Sequence, residues 1–128
     1  MKIALTAKGT EWDSMMDPRF GRTEFILLYD DEKKELSHYD NRAIESMAHG
    51  AGPQTAKKLF ELNPDILLTG NGPGGNAAAV LKNSPVKVFI GAGDMTVKEA
   101  LDAFKNGLLK SGSSSQQTGT MTKLFTWK

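Results

Sequence analysis

Two arginines flank a Phe-Gly pair at the start of a strand-like segment, DPRFGRTEFILLYD at residues 17–30. Arginine carries a permanent charge and a fixed fork of N–H donors that matches anions. Arg19 and Arg22, with Gly21 between them, therefore form one candidate wall of an anion site. The alternative is an ordinary turn with solvated arginines, and for Phe20 a place in the core is the favoured interpretation.

Three glycine-rich segments later in the chain each open a helix-like stretch. Glycine lets the backbone approach a ligand closely, and the N–H groups at the start of a helix attract anions. The segments are His49–Gly52, Gly70–Gly75 and Gly91–Asp94. Within the first two, the candidate binding residues are His49, Gly50, Gly52, Gly70, Asn71, Gly72 and Gly75.

Gly70, Gly72 and Gly75 match the G-x-G-x-x-G pattern of dinucleotide-binding loops. That function requires an acid at the end of the next strand, about 20 residues later. Asp94 lies near that distance, but in another glycine loop. No Gly-Lys-Ser or Gly-Lys-Thr of a phosphate-binding Walker motif occurs. Ordinary tight loops, or a different ligand, are therefore favoured over a dinucleotide.

Residues that could hold a metal are few. The chain has no cysteine, which excludes thiolate zinc sites and cysteine-ligated iron–sulfur clusters. His49 is the candidate metal ligand because it precedes a helix start, whereas His38 is interpreted as an ordinary strand residue. Met15 and Met16 are soft ligands in principle, but apolar cover of a long loop is the favoured interpretation.

The sequence gives little support for a catalyst. Metal-dependent nucleases and phosphatases need clustered carboxylates, and the first strand, KIALT, carries none. The acids Asp13, Asp17 and Asp94 are scattered over loops, and no Ser-His-Asp arrangement is visible. A binding protein is therefore favoured over an enzyme.

Composition narrows the class of protein further. The 128 residues suit one domain, and the net charge of +1 lacks the basic excess of a nucleic-acid-binding protein. The apolar run in the opening MKIALTAKGT is too short for a signal peptide. No apolar run in the chain approaches the length that spans a bilayer. The expectation is a cytoplasmic protein without nucleic-acid or membrane partners.

Periodicity predicts the element order β-β-β-α-β-α-β-α. A hairpin followed by β-α units gives a mostly parallel α/β sheet with helices on both faces. Right-handed crossovers predict five strands in the order 3-2-1-4-5, with strand 2 antiparallel. The predicted strands are Lys2–Thr6, Glu24–Tyr29, Glu35–Tyr39, Asp65–Gly70 and Val86–Ile90.

The sequence also predicts the helix boundaries. One helix begins near Pro53 with an apolar face of Ala56, Leu59 and Phe60. The clearest helix starts at a capping box of Thr96 and Glu99. Its predicted apolar stripe is Val97, Ala100, Leu101, Phe104 and Leu108, and Gly107 is its predicted stop.

The predicted strand directions gather the candidate residues at one edge of the sheet. The antiparallel second strand starts at the edge where strands one, four and five end. Arg19–Arg22 therefore lies on the same edge as His49–Gly52, Gly70–Gly75 and Gly91–Asp94. Open α/β sheets bind ligands at this edge, and the residues gathered there favour an anion.

The composition changes near the end of the chain. Residues 1–110 are predicted to form the single α/β domain. After Lys110 the run SGSSSQQTGT is too polar to bury a core of its own. Residues 111–128 are therefore predicted to be a flexible tail, with a short strand docked on a sheet edge as the alternative.

Four segments in order identify a resemblance: DPRFGRTEFILLYD, HGAGPQTAKKL, LLTGNGPGGNAAAVL and VKVFIGAGDMTVKEALDAFKNGLL. Together they resemble the dinitrogenase iron–molybdenum cofactor biosynthesis family, which includes nitrogenase accessory factors. The resemblance implies a ribonuclease H-like fold with a mixed five-stranded sheet. It also implies binding or carriage of an iron–sulfur or iron–molybdenum-type cluster or its precursor, without catalysis, and cofactor-assembly proteins as partners.

The resemblance has one departure that bears on the site. Arg19 stands where nitrogenase-associated relatives often have a histidine, so an anionic cluster would be held by Arg19, Arg22 and backbone N–H groups. Two other functions remain open from the residues alone. One is an enzyme that binds a nucleotide or phosphate metabolite with the same loops, and the other is a regulatory protein-interaction module.

Overall fold

The computed structural model describes residues 1–112, apart from the side chains of residues 45 and 76. One six-stranded sheet is packed against helices. The strands are β1 (Lys2–Ala7), β2 (Phe25–Asp30), β3 (Glu35–Asp40), β4 (Ile66–Leu68), β5 (Lys87–Ile90) and β6 (Lys110–Ser111). The helices are α1 (Arg42–Glu45), α2 (Ala51–Leu62), α3 (Gly75–Leu81) and α4 (Val97–Lys105).

The strands lie in the order β3-β2-β1-β4-β5-β6. β2 is antiparallel to β1 and β3, while β4 is parallel to both β1 and β5. The α/β class, the order of the first five strands and the antiparallel second strand agree with the prediction. The predicted total of five strands is wrong, because β6 pairs with the edge of β5. The ribonuclease H-like assignment stays a prediction.

β6 was missed because its two residues, Lys110 and Ser111, carry no strand pattern. The pairing depends instead on the backbone groups that β5 leaves at the edge of the sheet. Ser111 lies opposite Phe89, and the N–H of Gly112 donates to the carbonyl of Val88 at 2.8 Å. The predicted domain end at residue 110 therefore falls within a strand, and residues 113–128 of the predicted tail lie outside the described residues.

Each face of the sheet carries its own core. Ile3 and Leu5 of β1 belong to the cluster that includes α4, whereas Ala4 belongs to the cluster that includes α2 and α3. This alternation follows from the two-residue period of a strand. The predicted helices on both faces are therefore present, and α2 and α3 share one face.

The predicted ends of α4 are confirmed. Thr96 Oγ1 accepts from the N–H of Glu99 at 3.2 Å, and Glu99 Oε1 accepts from the N–H of Thr96 at 2.9 Å. At the other end, Gly107 has a φ of 71° and donates to Phe104, while Leu108 donates to Ala103. These two bonds form a Schellman motif, in which glycine relieves the strain of a left-handed residue.

Four details of the helices differ from prediction. Leu108 is 71% exposed because it lies beyond the end of α4, where the chain turns towards β6. Phe60 is 48% exposed because the buried stripe of α2 runs along Thr55, Ala56 and Leu59, and position 60 lies beyond its edge. α2 also begins two residues before Pro53, and the short α1 has no counterpart in the prediction. Among the described helices none is long and apolar enough to cross a bilayer.

Candidate functional site

The loops at the upper edge of the sheet, where β1, β4 and β5 end, are joined by short contacts. The N–H of Asn71, after β4, donates to the carbonyl of Pro18, which precedes Arg19, at 2.8 Å. The N–H of Gly91, after β5, donates to Gly70 at 3.1 Å. The arginine segment and the glycine loops therefore share one edge, as the strand directions predict.

A cleft of about 410 Å³ opens at this edge, on the face that carries α2 and α3. One wall is the Arg19–Arg22 segment, which we call the arginine wall. The first turns of α2 and α3 form the opposite side. The lining residues are Arg19, Phe20, Gly21, Arg22, Gly50, Ala51, Gly52, Pro53, Gly74, Gly75 and Ala77.

The predicted site residues divide between the cleft and its surroundings. Arg19, Phe20, Gly21, Arg22, Gly50, Gly52 and Gly75 line the cleft. His49, Gly70, Asn71 and Gly72 are not among the lining residues. Cofactor binding by any of them stays a prediction. The cleft is also lined by Ala51, Pro53, Gly74 and Ala77, which were not candidate binding residues, although Ala51 and Gly74 lie within the predicted glycine-rich segments and Pro53 directly follows Gly52.

Arg19 is held by a buried carboxylate rather than extended freely into the cleft. Its Nε and one terminal nitrogen donate to the two oxygens of Asp17, each at 3.0 Å. Asp17 is fully buried and also accepts from the N–H groups of Arg19 and Glu24. Burial raises the pKa of Asp17, but these hydrogen bonds and the charge of Arg19 outweigh it and lower the pKa below 3.8.

Asp17, which in the sequence is only one of several scattered acids, therefore positions an arginine that lines the cleft. The signal that marks it is local, since the order Asp-x-Arg lets a carboxylate accept from the backbone and the guanidinium two residues later. Asp40 and Arg42 repeat this arrangement on the surface, with an Nη2–Oδ2 distance of 2.7 Å. The positive charge that Arg19 adds to the arginine wall is consequently partly neutralised by Asp17.

Arg22 ties the arginine wall to the loop before α2. Its guanidinium donates to the carbonyl of Met47 at 2.7 Å and to that of Ala48 at 3.3 Å. Residues 47 and 48 immediately precede His49 and the Gly50 cap of α2. Arg22 therefore both lines the cleft and positions the segment that begins its opposite side.

Phe20 lies at the base of the cleft, and Gly21 makes the closest contact between the arginine wall and α2. Phe20 is 3% exposed and packs in the core beneath α2 and α3, which agrees with the core interpretation. A Cβ on Gly21 would lie 2.8 Å from the Cα of Gly52, so the two backbones touch. Glycine is needed at position 21 because no side chain fits between the arginine wall and α2.

The G-x-G-x-x-G pattern has a packing explanation at its first position. A Cβ on Gly70 would lie 2.5 Å from the Cα of Pro18 and 2.9 Å from that of Gly93. Position 70 therefore requires glycine, because three loops pack against one another there. Gly72 has only ordinary contacts, whereas Gly74 and Gly75 border open space at the start of α3.

The three helices that start at this edge differ in how their first N–H groups are satisfied. At the start of α4, the N–H groups that lack an acceptor within the helix are bonded elsewhere. Val97 donates to the carbonyl of Ser14, Lys98 to the carbonyl of Trp12, and Glu99 to the side chain of Thr96. α2 and α3, which line the cleft, start from Gly50 and Gly74. A glycine cap has no side chain to accept from the N–H groups that follow it.

The remaining candidate ligands form no metal site in the described part of the chain. His49 is exposed, and no group of three or more His, Asp or Glu residues in the described part of the chain could hold a metal ion. Met16 is fully buried in the core, and Met15 is 44% exposed. The described residues thus provide charged side chains and backbone N–H donors that could bind an anion. They do not provide a preformed set of ligands for a bare metal ion.

Comparisons with known proteins identify one family profile and several similar solved structures. A profile of the family described as dinitrogenase iron-molybdenum cofactor matches residues 1–107. The apo form of the orange protein from Desulfovibrio gigas is similar with a TM-score of 0.81 and 32% identity, over 88% of this chain and 92% of that protein. A Thermotoga protein of the DUF35 family is similar with a TM-score of 0.74 and 31% identity, over 91% and 98% of the two chains. No curated protein is significantly similar in sequence.

Proposed function

The chain belongs to the dinitrogenase iron-molybdenum cofactor family, and on this premise we propose that it is a binding or carrier protein for an anionic metallocluster. The cargo is an iron–sulfur or iron–molybdenum-type cluster or a precursor of one. The protein holds this cargo in the cleft and performs no chemistry on it. We propose that cofactor-assembly proteins donate the cargo to this protein or accept it. We also propose that the protein is located in the cytoplasm.

The contrast between helix starts is the observation that supports the proposal most directly. The start of α4 is closed by side-chain and loop acceptors, while α2 and α3 start at the cleft from glycines. N–H groups at a helix start form hydrogen bonds with anions, and the helix dipole adds attraction. An anion in the cleft would therefore accept from N–H groups for which Gly50 and Gly74 provide no side-chain acceptor.

The residues of the cleft have separate roles in this proposal. Arg22 and Arg19 supply positive charge from the arginine wall, and Gly50, Gly52 and Gly75 let the cargo approach the backbone. His49 is assigned a secondary role as a metal ligand at the mouth of the cleft, because it directly precedes Gly50. Since the chain has no cysteine, the cargo must bring its own sulfide ligands.

Anaerobic titration with tetrathiomolybdate, a sulfide-coordinated molybdenum anion, tests the proposal. We expect saturable binding that Arg22→Gln weakens by roughly tenfold, the effect of about 1.4 kcal/mol. Arg42→Gln is the matched control, because Arg42 forms an exposed pair with Asp40 and does not line the cleft. Absence of binding, or equal losses in the two variants, would contradict the proposal.

A second titration separates ionic holding from metal coordination. A reduced iron–sulfur cluster donor is added to the wild type, to His49→Ala and to the double variant Arg19→Ala, His49→Ala. Loss of affinity in His49→Ala supports coordination by the imidazole. Loss only in the double variant supports ionic holding, and no loss in either rejects both roles. Amide shifts at residues 70–75 and 91–94 on adding nucleotides would instead favour a nucleotide-binding enzyme.

A further inference from the structure

Two buried polar side chains, Asn41 and Thr55, connect the two sides of the cleft. Asn41 lies directly after β3 and is 2% exposed, and Thr55 lies in the second turn of α2 and is fully buried. Neither residue is among those that line the cleft. Sequence reasoning gave neither of them a role.

The hydrogen bonds of this pair join three parts of the chain. Thr55 Oγ1 donates to the carbonyl of Gly21 at 2.6 Å and accepts from Asn41 Nδ2 at 3.0 Å. Asn41 Nδ2 also donates to the carbonyl of Thr23 at 3.0 Å. Gly21 of the arginine wall is thus attached to α2, and Thr23, which directly follows the wall, is attached to Asn41 at the end of β3.

The position of Thr55 makes this connection relevant to the width of the cleft. Thr55 follows Gly52 by three residues, so both lie on the same face of α2. Gly52 touches Gly21 directly, at a distance that leaves no room for a Cβ. The Thr55 hydroxyl holds the same glycine one turn further along the helix, so the wall is fixed to α2 at two successive points.

We propose that Asn41 and Thr55 are positioning residues that set the distance between the arginine wall and the first turn of α2. The inference rests on the proposed function, since it concerns ligand binding in the same cleft. Buried polar groups that lose their partner are costly, so this network holds the wall in one place. The cleft therefore presents its arginines and backbone donors to a ligand already in position.

Thr55→Val tests the proposal because valine keeps the shape of threonine and removes the hydroxyl. In the ligand-free protein we expect the nuclear Overhauser contact between the α-protons of Gly21 and Gly52 to weaken or disappear. Tetrathiomolybdate affinity should fall by roughly tenfold. Thr55→Ser, which restores the hydroxyl, should recover both.

Thr69→Val is the matched control. Thr69 is also fully buried, and its hydroxyl accepts from Thr6 at 2.8 Å, away from the cleft lining. It should lose stability without changing the Gly21–Gly52 contact or the affinity. Asn41→Ala, which removes the other half of the network, replaces Thr55→Val if the latter does not fold.

The outcomes separate this proposal from the proposed function. If Thr55→Val retains the α-proton contact, or loses it with unchanged affinity, the positioning role is wrong. Equal losses of affinity in Thr55→Val and Thr69→Val also overturn it. If the wild type binds no probe, the proposed function fails, and the α-proton contact alone then decides whether Asn41 and Thr55 set the width of the cleft.

Discussion

The chain contains the same Asp-x-Arg arrangement twice, once buried and once on the surface. In both copies the carboxylate accepts from the N–H, the Nε and a terminal nitrogen of the arginine two residues later. The Asp17 side chain is fully buried, whereas that of Asp40 is 51% exposed. Solvent screens exposed ion pairs strongly, so the two copies should differ in their contribution to stability.

Asp17→Asn should destabilise the protein by about 2 kcal/mol, the scale of a buried hydrogen bond to a charged group. Asparagine keeps the shape but directs an amide at donors that need an acceptor. Asp40→Asn, the matched control, should have a much smaller effect. Urea unfolding at neutral pH measures both, and equal losses would show that burial does not distinguish the two pairs.

The pKa of Asp17 determines how the contribution of the Asp17–Arg19 pair to stability changes with pH. The folded pKa lies below 3.8, so the unfolded chain binds a proton more readily than the native protein does. The stabilisation is therefore fully present well above pH 3.8 and is lost as the pH falls through the folded pKa. The difference in free energy of unfolding between wild type and Asp17→Asn should shrink over that acidic range. A difference that stays constant there would contradict the assignment.

At the scale of elements, the start of α3 allows helix stability and the proposed anion binding to be tested against each other. Gly74 caps it with a φ of −68° and a ψ of 175°, which any residue adopts, and a Cβ there would meet open space. Aspartate and asparagine are better caps than glycine by a few tenths of a kcal/mol. The absence of a better cap is therefore not imposed by packing.

Gly74→Asp and Gly74→Asn should both raise the free energy of unfolding by roughly 0.3 kcal/mol. Only aspartate places a negative charge beside the cleft, so only Gly74→Asp should greatly weaken tetrathiomolybdate binding. Thermal or urea unfolding gives the stability, and anaerobic titration gives the affinity. Equal affinity in the two variants would mean that the anion does not approach the start of α3.

The first glycine of the G-x-G-x-x-G pattern should be required for packing rather than for a ligand. Gly70→Ala places a Cβ against the backbone of Pro18 and Gly93, and overpacking of this kind costs about 1–3 kcal/mol. Gly72→Ala is the control because its Cβ would meet only ordinary contacts at 3.5 Å or more. Urea unfolding compares them, and a stable Gly70→Ala protein would contradict this explanation.

At the scale of the whole molecule, the sequence predicts whatever depends on local pattern and chain direction. The Thr96–Glu99 box, the Gly107 stop and the order of the first five strands follow from neighbouring residues and from the handedness of crossovers. The same reasoning placed Arg19 and Gly70 on one edge. These features are decided within a few residues, or by rules that hold for all such sheets.

The features that escaped prediction depend on contacts between distant residues. Thr55 bonds Gly21 across 34 positions, and nothing in the sequence around either residue marks that pair. The buried face of α2 includes this polar side chain and leaves Phe60 48% exposed. β6 pairs with the backbone edge of β5, and its two residue types do not mark it as a strand in the sequence. Such contacts are visible only once the chain is folded.

Ligand binding should stabilise the whole molecule, because the cleft combines the arginine wall, α2 and α3, which exist together only in the folded state. A ligand that binds only the native protein at one hundred times its Kd adds about 2.7 kcal/mol. For a domain of this size the thermal midpoint should then rise by roughly 10 °C. Differential scanning fluorimetry with tetrathiomolybdate measures the rise, with sulfate at the same ionic strength as the control. Because the cleft is open to solvent, added salt should reduce the rise. An equal rise with sulfate would show general anion stabilisation instead of recognition of a sulfide-coordinated cargo.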